Sequence, residues 1–309
     1  MCPLAAPLYS PPGVEPILEA LAEARQLAAR HPLAAYLATV FAFSWSDWVT
    51  LAATGGRVAP GSMPTHFAGF LGPAFAAFAV TAMAEGRRGL AAFSLRLLRV
   101  PWRTPSFWAL GLSPLAFLAT GIALLAATGR RLPTLASLVR FPGLPAMPVS
   151  PVFDIVLLTM GFGHEIGWRG FALPRFQARF GPLGGALALA VPWGLWLAPL
   201  LTVNEAWSGL GWRSTAVLAA SLVAGSIVLA FVVARTGGAV AAAALWHACY
   251  QMASATAGAR GFLASLTSWA VIGWAVVLLA AERAARRRGR SLLVPAEAGG
   301  GADRRPEPH

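Results

Sequence analysis

Lysine is missing from this 309-residue chain: all 24 basic residues are arginine, and only 12 acidic residues stand against them. Charged residues make up 12% of the total and hydrophobic ones 57%, with a mean hydropathy of +0.63. That is too little polar material to cover a soluble core. A polar linker between the apolar stretches is also missing, so one helical membrane domain is expected rather than the two soluble domains that length alone would allow. Cysteine is scarce, Cys2 and Cys249 only, which excludes a disulfide framework. The first 30 residues hold no continuous apolar stretch but carry Glu15, Glu19, Glu23, Arg25 and Arg30. This argues against a cleaved secretory signal and leaves the first transmembrane helix as the expected insertion signal. An internal repeat is not apparent, which removes support for a transporter built of two related halves. The +12 net charge comes with no nucleic-acid recognition signature, so no nucleic-acid partner is expected and the lipid bilayer is the natural counter-surface.

Apolar stretches near 33–53, 67–84, 107–127, 152–170, 183–201, 216–234, 238–256 and 263–281 each approach the ~20 residues that cross the hydrocarbon. The expected fold is therefore all-α, a polytopic membrane helix bundle of about eight transmembrane helices. Residues 1–32 form a cytoplasmic N-terminal segment that is amphipathic over 14–30, 33–282 form the transmembrane domain, and 283–309 form a basic, then disordered tail. Counting arginines on alternate sides leaves Arg57, Arg130, Arg131, Arg140, Arg213 and Arg260 on one face and the other 18 on the opposite one. The richer face is expected to be cytoplasmic, with both termini inside and the protein in the inner (cytoplasmic) membrane of a cell. Gly69 and Gly72 in GFLGPAFAAFAV are small residues suited to close helix packing. The segment EGRRGLAAFSLRLLRVPW reads as a basic amphipathic surface stretch.

Ionisable groups inside spans cost roughly 2.5–3.5 kcal/mol each on insertion scales, so the few present are informative. They are Asp47, Asp154, His164, Glu165, Arg169 and His247. Glu165 and Arg169, one α-helical turn apart, can pair. Asp154 projects to nearly the same α-helical face as Glu165, while His164 points about 100° away and stacks over Trp168. His247 and Gln251 form another i, i+4 pair, able to hold helices together or to polarise a carbonyl. Cys249 faces away from His247 and is expected to be a packing residue. Trp168, Trp193, Trp196 and Trp246 are candidates either to line a cavity or to anchor at the membrane interface.

The string GHEIGWRGFALPRFQARFGPLGGALALAVPWGLWLAPL, with LWHACYQM further on, resembles the CPBP family, CAAX prenyl proteases and bacteriocin-processing proteins that cleave peptides within membranes. The resemblance is specific over 161–202, extends more weakly over the middle of the chain, and places the CPBP-like core at about 150–256. The family carries Glu-Glu-x-x-x-Arg, then Phe/Trp-x-x-x-His, then His-x-x-x-Asn/Asp. The resemblance implies metal-independent hydrolysis, in which the first Glu and the second-motif His activate water and the third motif shapes an oxyanion site. Here the first motif reads His164-Glu165-x-x-x-Arg169, the second begins at Trp193 and has Leu197 where His belongs, and the third reads His247-x-x-x-Gln251.

The expected catalytic set is thus His164, Glu165, Arg169, His247 and Gln251, with no cofactor and no metal. His164 or Glu165 would activate water, while His247 and Gln251 would stabilise the oxyanion. The substrate would be a membrane-associated peptide or protein, prenylated or not. The rival reading is a pseudoprotease that binds such peptides without cutting, since leucine can neither accept a proton nor orient water. Two further readings make His164, Glu165 and His247 metal ligands, or make Asp47 and Asp154 part of a proton-coupled transporter.

Overall fold

A computed structural model describes residues 14–295. Helix α1 (Val14–Arg30) leads into α2 (Pro32–Ala53), whose Pro32 occupies the first turn, where a missing N–H costs nothing. A short 3₁₀ turn, Ala68–Leu71, opens α3 (Gly72–Leu97), and α4 (Pro105–Gly111) and α5 (Ser113–Ala127) form a pair bent by 49°. The longest helical path is α6, Val149–Trp196, followed by α7 (Trp212–Arg235), α8 (Val240–Ser254) and α9 (Phe262–Arg286). The fold is all-α and polytopic. Among the described residues, four helices, or five with the bent pair counted as one span, are long and apolar enough to cross a membrane by themselves. The expected number of about eight counts shorter or less apolar stretches as well, such as the 15-residue α8.

Two of the expected spans, 152–170 and 183–201, fall largely on α6. They are separated by Gly181, at φ 74°, a conformation glycine adopts without the Cβ penalty. The chain reverses there and brings Trp196 back beside His164, with ring centroids 4.8 Å apart. Close approach elsewhere rests on small residues, as the sequence suggested. A Cβ at Gly69 would collide with the Trp48 indole and one at Gly72 with the Ser44 hydroxyl. Ser44 Oγ instead donates to the Gly69 carbonyl at 2.6 Å, which locks α2 onto the start of α3.

The first half of α6 is not a plain α-helix. Leu157–Gly163 and Ile166–Ala172 are π-helical, a wide-turned geometry that is rare and is frequent at functional sites. Each π turn holds one more residue than an α turn, so side chains beyond it lag in phase. For that reason Asp154 does not share a face with Glu165: Asp154 is exposed and Glu165 fully buried. Asp47, the other candidate for proton transport, accepts the Gly69 amide at 2.9 Å and so ties α2 to the following turn.

Candidate active site

The expected site residues converge. Glu165, on the α-helical junction between the two π stretches, accepts from Arg169 Nη1 through Oε1 at 3.2 Å, and its Oε2 lies 3.2 Å from Arg169 Nε in the same ion pair. Its Oε1 lies 2.6 Å from His247 Nδ1 on α8. His247 Nε2 lies 3.3 Å from Gln251 Nε2, one turn on. The His164 and His247 rings meet at 4.7 Å in a T-shaped arrangement. His164, Glu165, Arg169 and His247 are all buried. Glycines allow the helices to approach: a Cβ at Gly161 would lie 2.7 Å from the Ala244 carbonyl oxygen, and one at Gly163 would lie 2.7 Å from that of Phe70.

A charged group in such a place needs a partner, and Glu165 and Arg169 supply one another. The guanidinium also stacks over the Trp193 indole at 4.2 Å, a cation–π contact that strengthens where water is excluded. At 2.6 Å the Glu165–His247 contact is in the charge-assisted range, with Nδ1–H donating to the carboxylate. This arrangement fixes the ring and leaves the second nitrogen facing Gln251 and the cavity.

His164 differs from expectation. Its ring packs on Trp196 and, at 5.1 Å, on Phe70, rather than on Trp168, because the π geometry swings it toward His247. Both its nitrogens are buried without a hydrogen-bond partner. A cavity of about 560 Å³ begins at this cluster, lined by His164, Trp193, Leu197, Trp246, His247 and Gln251 among others. Trp193 and Trp246 therefore line it, whereas Trp168 and Trp196 are buried behind the wall. Cys249 is buried and outside the lining. Arg169, counted with the cytoplasmic arginines from sequence, is 1% exposed and belongs to the site instead.

Among the lining residues not singled out from sequence is a histidine. His66, in the loop between α2 and α3, is buried against Phe70, whose ring also touches His164. Burial pushes its imidazole down to about 3, so it is neutral at ordinary pH. A lone histidine in a Gly- and Pro-rich loop carries no periodic signal that would have marked it.

The donor atoms of His164, Glu165 and His247 lie within 4.8 Å of one another, and two imidazoles with a carboxylate suit zinc. Arg169 already neutralises that carboxylate, however. A divalent cation there would sit beside a buried positive charge.

Fold and site together define a polytopic helical membrane protein with an acid–imidazole cluster at the floor of a cavity. Residues 146–253 match the family model described as Type II CAAX prenyl endopeptidase Rce1-like. A CAAX prenyl protease 2 of Methanococcus maripaludis is 35% identical over 57 residues, which are 18% of this chain and 21% of that protein. The chain thus matches about a fifth of the length of this curated relative. The matched region contains all five site residues, and its similarity agrees with the resemblance to CPBP proteases carried by the motifs.

Proposed function

We propose that the protein is an intramembrane endopeptidase of the CPBP type that hydrolyses membrane-associated peptides with an activated water, without metal or other cofactor. The observation that carries this reading is the meeting of His164, Glu165, Arg169, His247 and Gln251 from two helices, with His164, His247 and Gln251 lining one cavity and Glu165 and Arg169 buried behind them. His164 has the free nitrogens required of a general base. It takes a proton from water as the oxygen attacks the peptide carbonyl, then returns it to the leaving amine. His247 and Gln251 face the carbonyl oxygen. The Gln251 amide donates to the developing oxyanion, and Glu165 fixes the His247 ring that positions this amide. Arg169 holds Glu165 in place and so acts as a positioning residue. The bilayer of the cytoplasmic membrane is the protein's solvent and the source of its substrate.

The second reading, a pseudoprotease that binds peptide without cutting, is favoured by Leu197, which lines the cavity at the place where the family motif has histidine. Replacing His247 with Ala tests the first reading. Cleavage of a membrane-reconstituted peptide should be abolished while the thermal unfolding profile in detergent is retained. Unchanged cleavage would remove His247 from the mechanism.

A further inference from the structure

The cavity runs from the buried cluster to one end of the bundle. Its exposed lining residues include Arg213, Ser214, Arg260 and Ser265, and this is the end where the chain crosses between helices at 54–67, 128–148, 204–211 and 255–261. These connections are tied to one another. Val58 bridges Asn204, Pro60 bridges Pro142, the Ala257 amide donates to the Arg140 carbonyl at 2.9 Å, and Arg260 pairs with Glu205 at 3.5 Å. The opposite end is tied together separately: Gln177 donates to the Leu293 carbonyl at 2.9 Å and Arg175 pairs with Glu85 at 3.4 Å.

The arginines can therefore be assigned to ends by structure instead of by counting spans. Arg57, Arg130, Arg131 and Arg140 lie on the connections at the end where the cavity opens, and Arg213 and Arg260 line its mouth. Arg169 is buried in the site. Of the remaining 17, the 15 within the described residues belong to the other end, while Arg304 and Arg305 lie outside the described residues. Such an excess marks the cytoplasmic side of a membrane protein, which turns the mouth away from the cytoplasm.

We infer that the cavity is loaded from the non-cytoplasmic face of the membrane, and that it takes a peptide with an acidic group presented at that face. Arg213 has no carboxylate partner among the described residues, and the partner of Arg260 is the half-exposed Glu205. Two guanidiniums at the mouth favour an anionic group, and the apolar walls at Val217, Leu222 and Trp246 suit the chain that follows it. The preference for a peptide rests on the proposed function. The side of loading does not, because it follows from the arginine distribution and the position of the mouth.

Cysteine labelling separates the two. In a parent with Cys2→Ser and Cys249→Ala, Ser214→Cys at the mouth and Ala91→Cys on α3 at the opposite end are treated in intact cells with a membrane-impermeant maleimide. Ser214→Cys should be labelled before lysis and Ala91→Cys only after it; labelling of Ser214→Cys only after lysis would overturn the inference whether or not the protein cleaves anything. For the anionic preference, the purified full-length protein is titrated in detergent with a fluorescent leucine-rich hexapeptide bearing a free C-terminal carboxylate, and with its C-terminal amide. The acid should bind about fivefold more tightly, as expected for exposed ion pairs, and Arg213→Ala with Arg260→Ala should erase the difference. Equal binding of acid and amide by the parent would sink that half.

Discussion

His247 Nδ1 and Glu165 Oε1 lie 2.6 Å apart across 82 residues of sequence, and Arg169 closes the same carboxylate from the other side. Glu165 thereby serves two cations or donors at once. The consequences differ for stability and for chemistry.

Replacing Glu165 with Gln leaves the Arg169 guanidinium buried without a counter-charge, which costs about 3–5 kcal/mol for a fully enclosed pair. Thermal unfolding in detergent should show a large loss for Glu165→Gln and for Arg169→Met alone. The double variant should recover most of it, because removing both charges removes the unpaired one. Cleavage should stay abolished in all three, so stability and activity part company.

Gly161→Ala should destabilise by about 1–3 kcal/mol, the usual range for overpacking. The new methyl would press on the Ala244 carbonyl, and α8 must move away, carrying His247 from Glu165. Loss of peptide cleavage larger than that caused by an equally destabilising change elsewhere in α8 is the expected signature.

The neutral, buried His66 makes stability depend on pH. Its folded value of about 3 lies below the ~6.5 of an unfolded chain, so its contribution is complete above pH ~6.5 and is lost as the pH falls toward 3. At pH 5 the loss should be about 2 kcal/mol. Unfolding measured at pH 7 and pH 5 should show a smaller difference in His66→Gln than in the parent.

Restoring the family pattern with His164→Glu and Leu197→His separates the two functional readings. A parent that cuts by its own His164 should show measurable hydrolysis before the change. A pseudoprotease would show none and could gain activity from it. Strong hydrolysis by the parent excludes the pseudoprotease.

Much of this was legible in the linear chain because membrane physics writes it there. Apolar stretches report helices, since lipid offers no hydrogen bonds to other backbone shapes. The i, i+4 spacings of Glu165 with Arg169 and of His247 with Gln251 report local pairs, and both pairs are in contact. Arginine placement suggested a sidedness by the same logic.

Tertiary structure alone decided what lies between helices. The π stretches around His164 break the regular phase that sequence periodicity assumes, so Asp154 turns outward and His164 turns toward Trp196 and His247. Arg169 became a buried partner instead of a surface marker, because burial is a property of neighbours and not of the residue. His66 joined the cavity through the fold of an irregular loop, where no repeating pattern exists to be read. The sequence determines which residues lie next to one another along a helix, and packing decides which residues meet across helices.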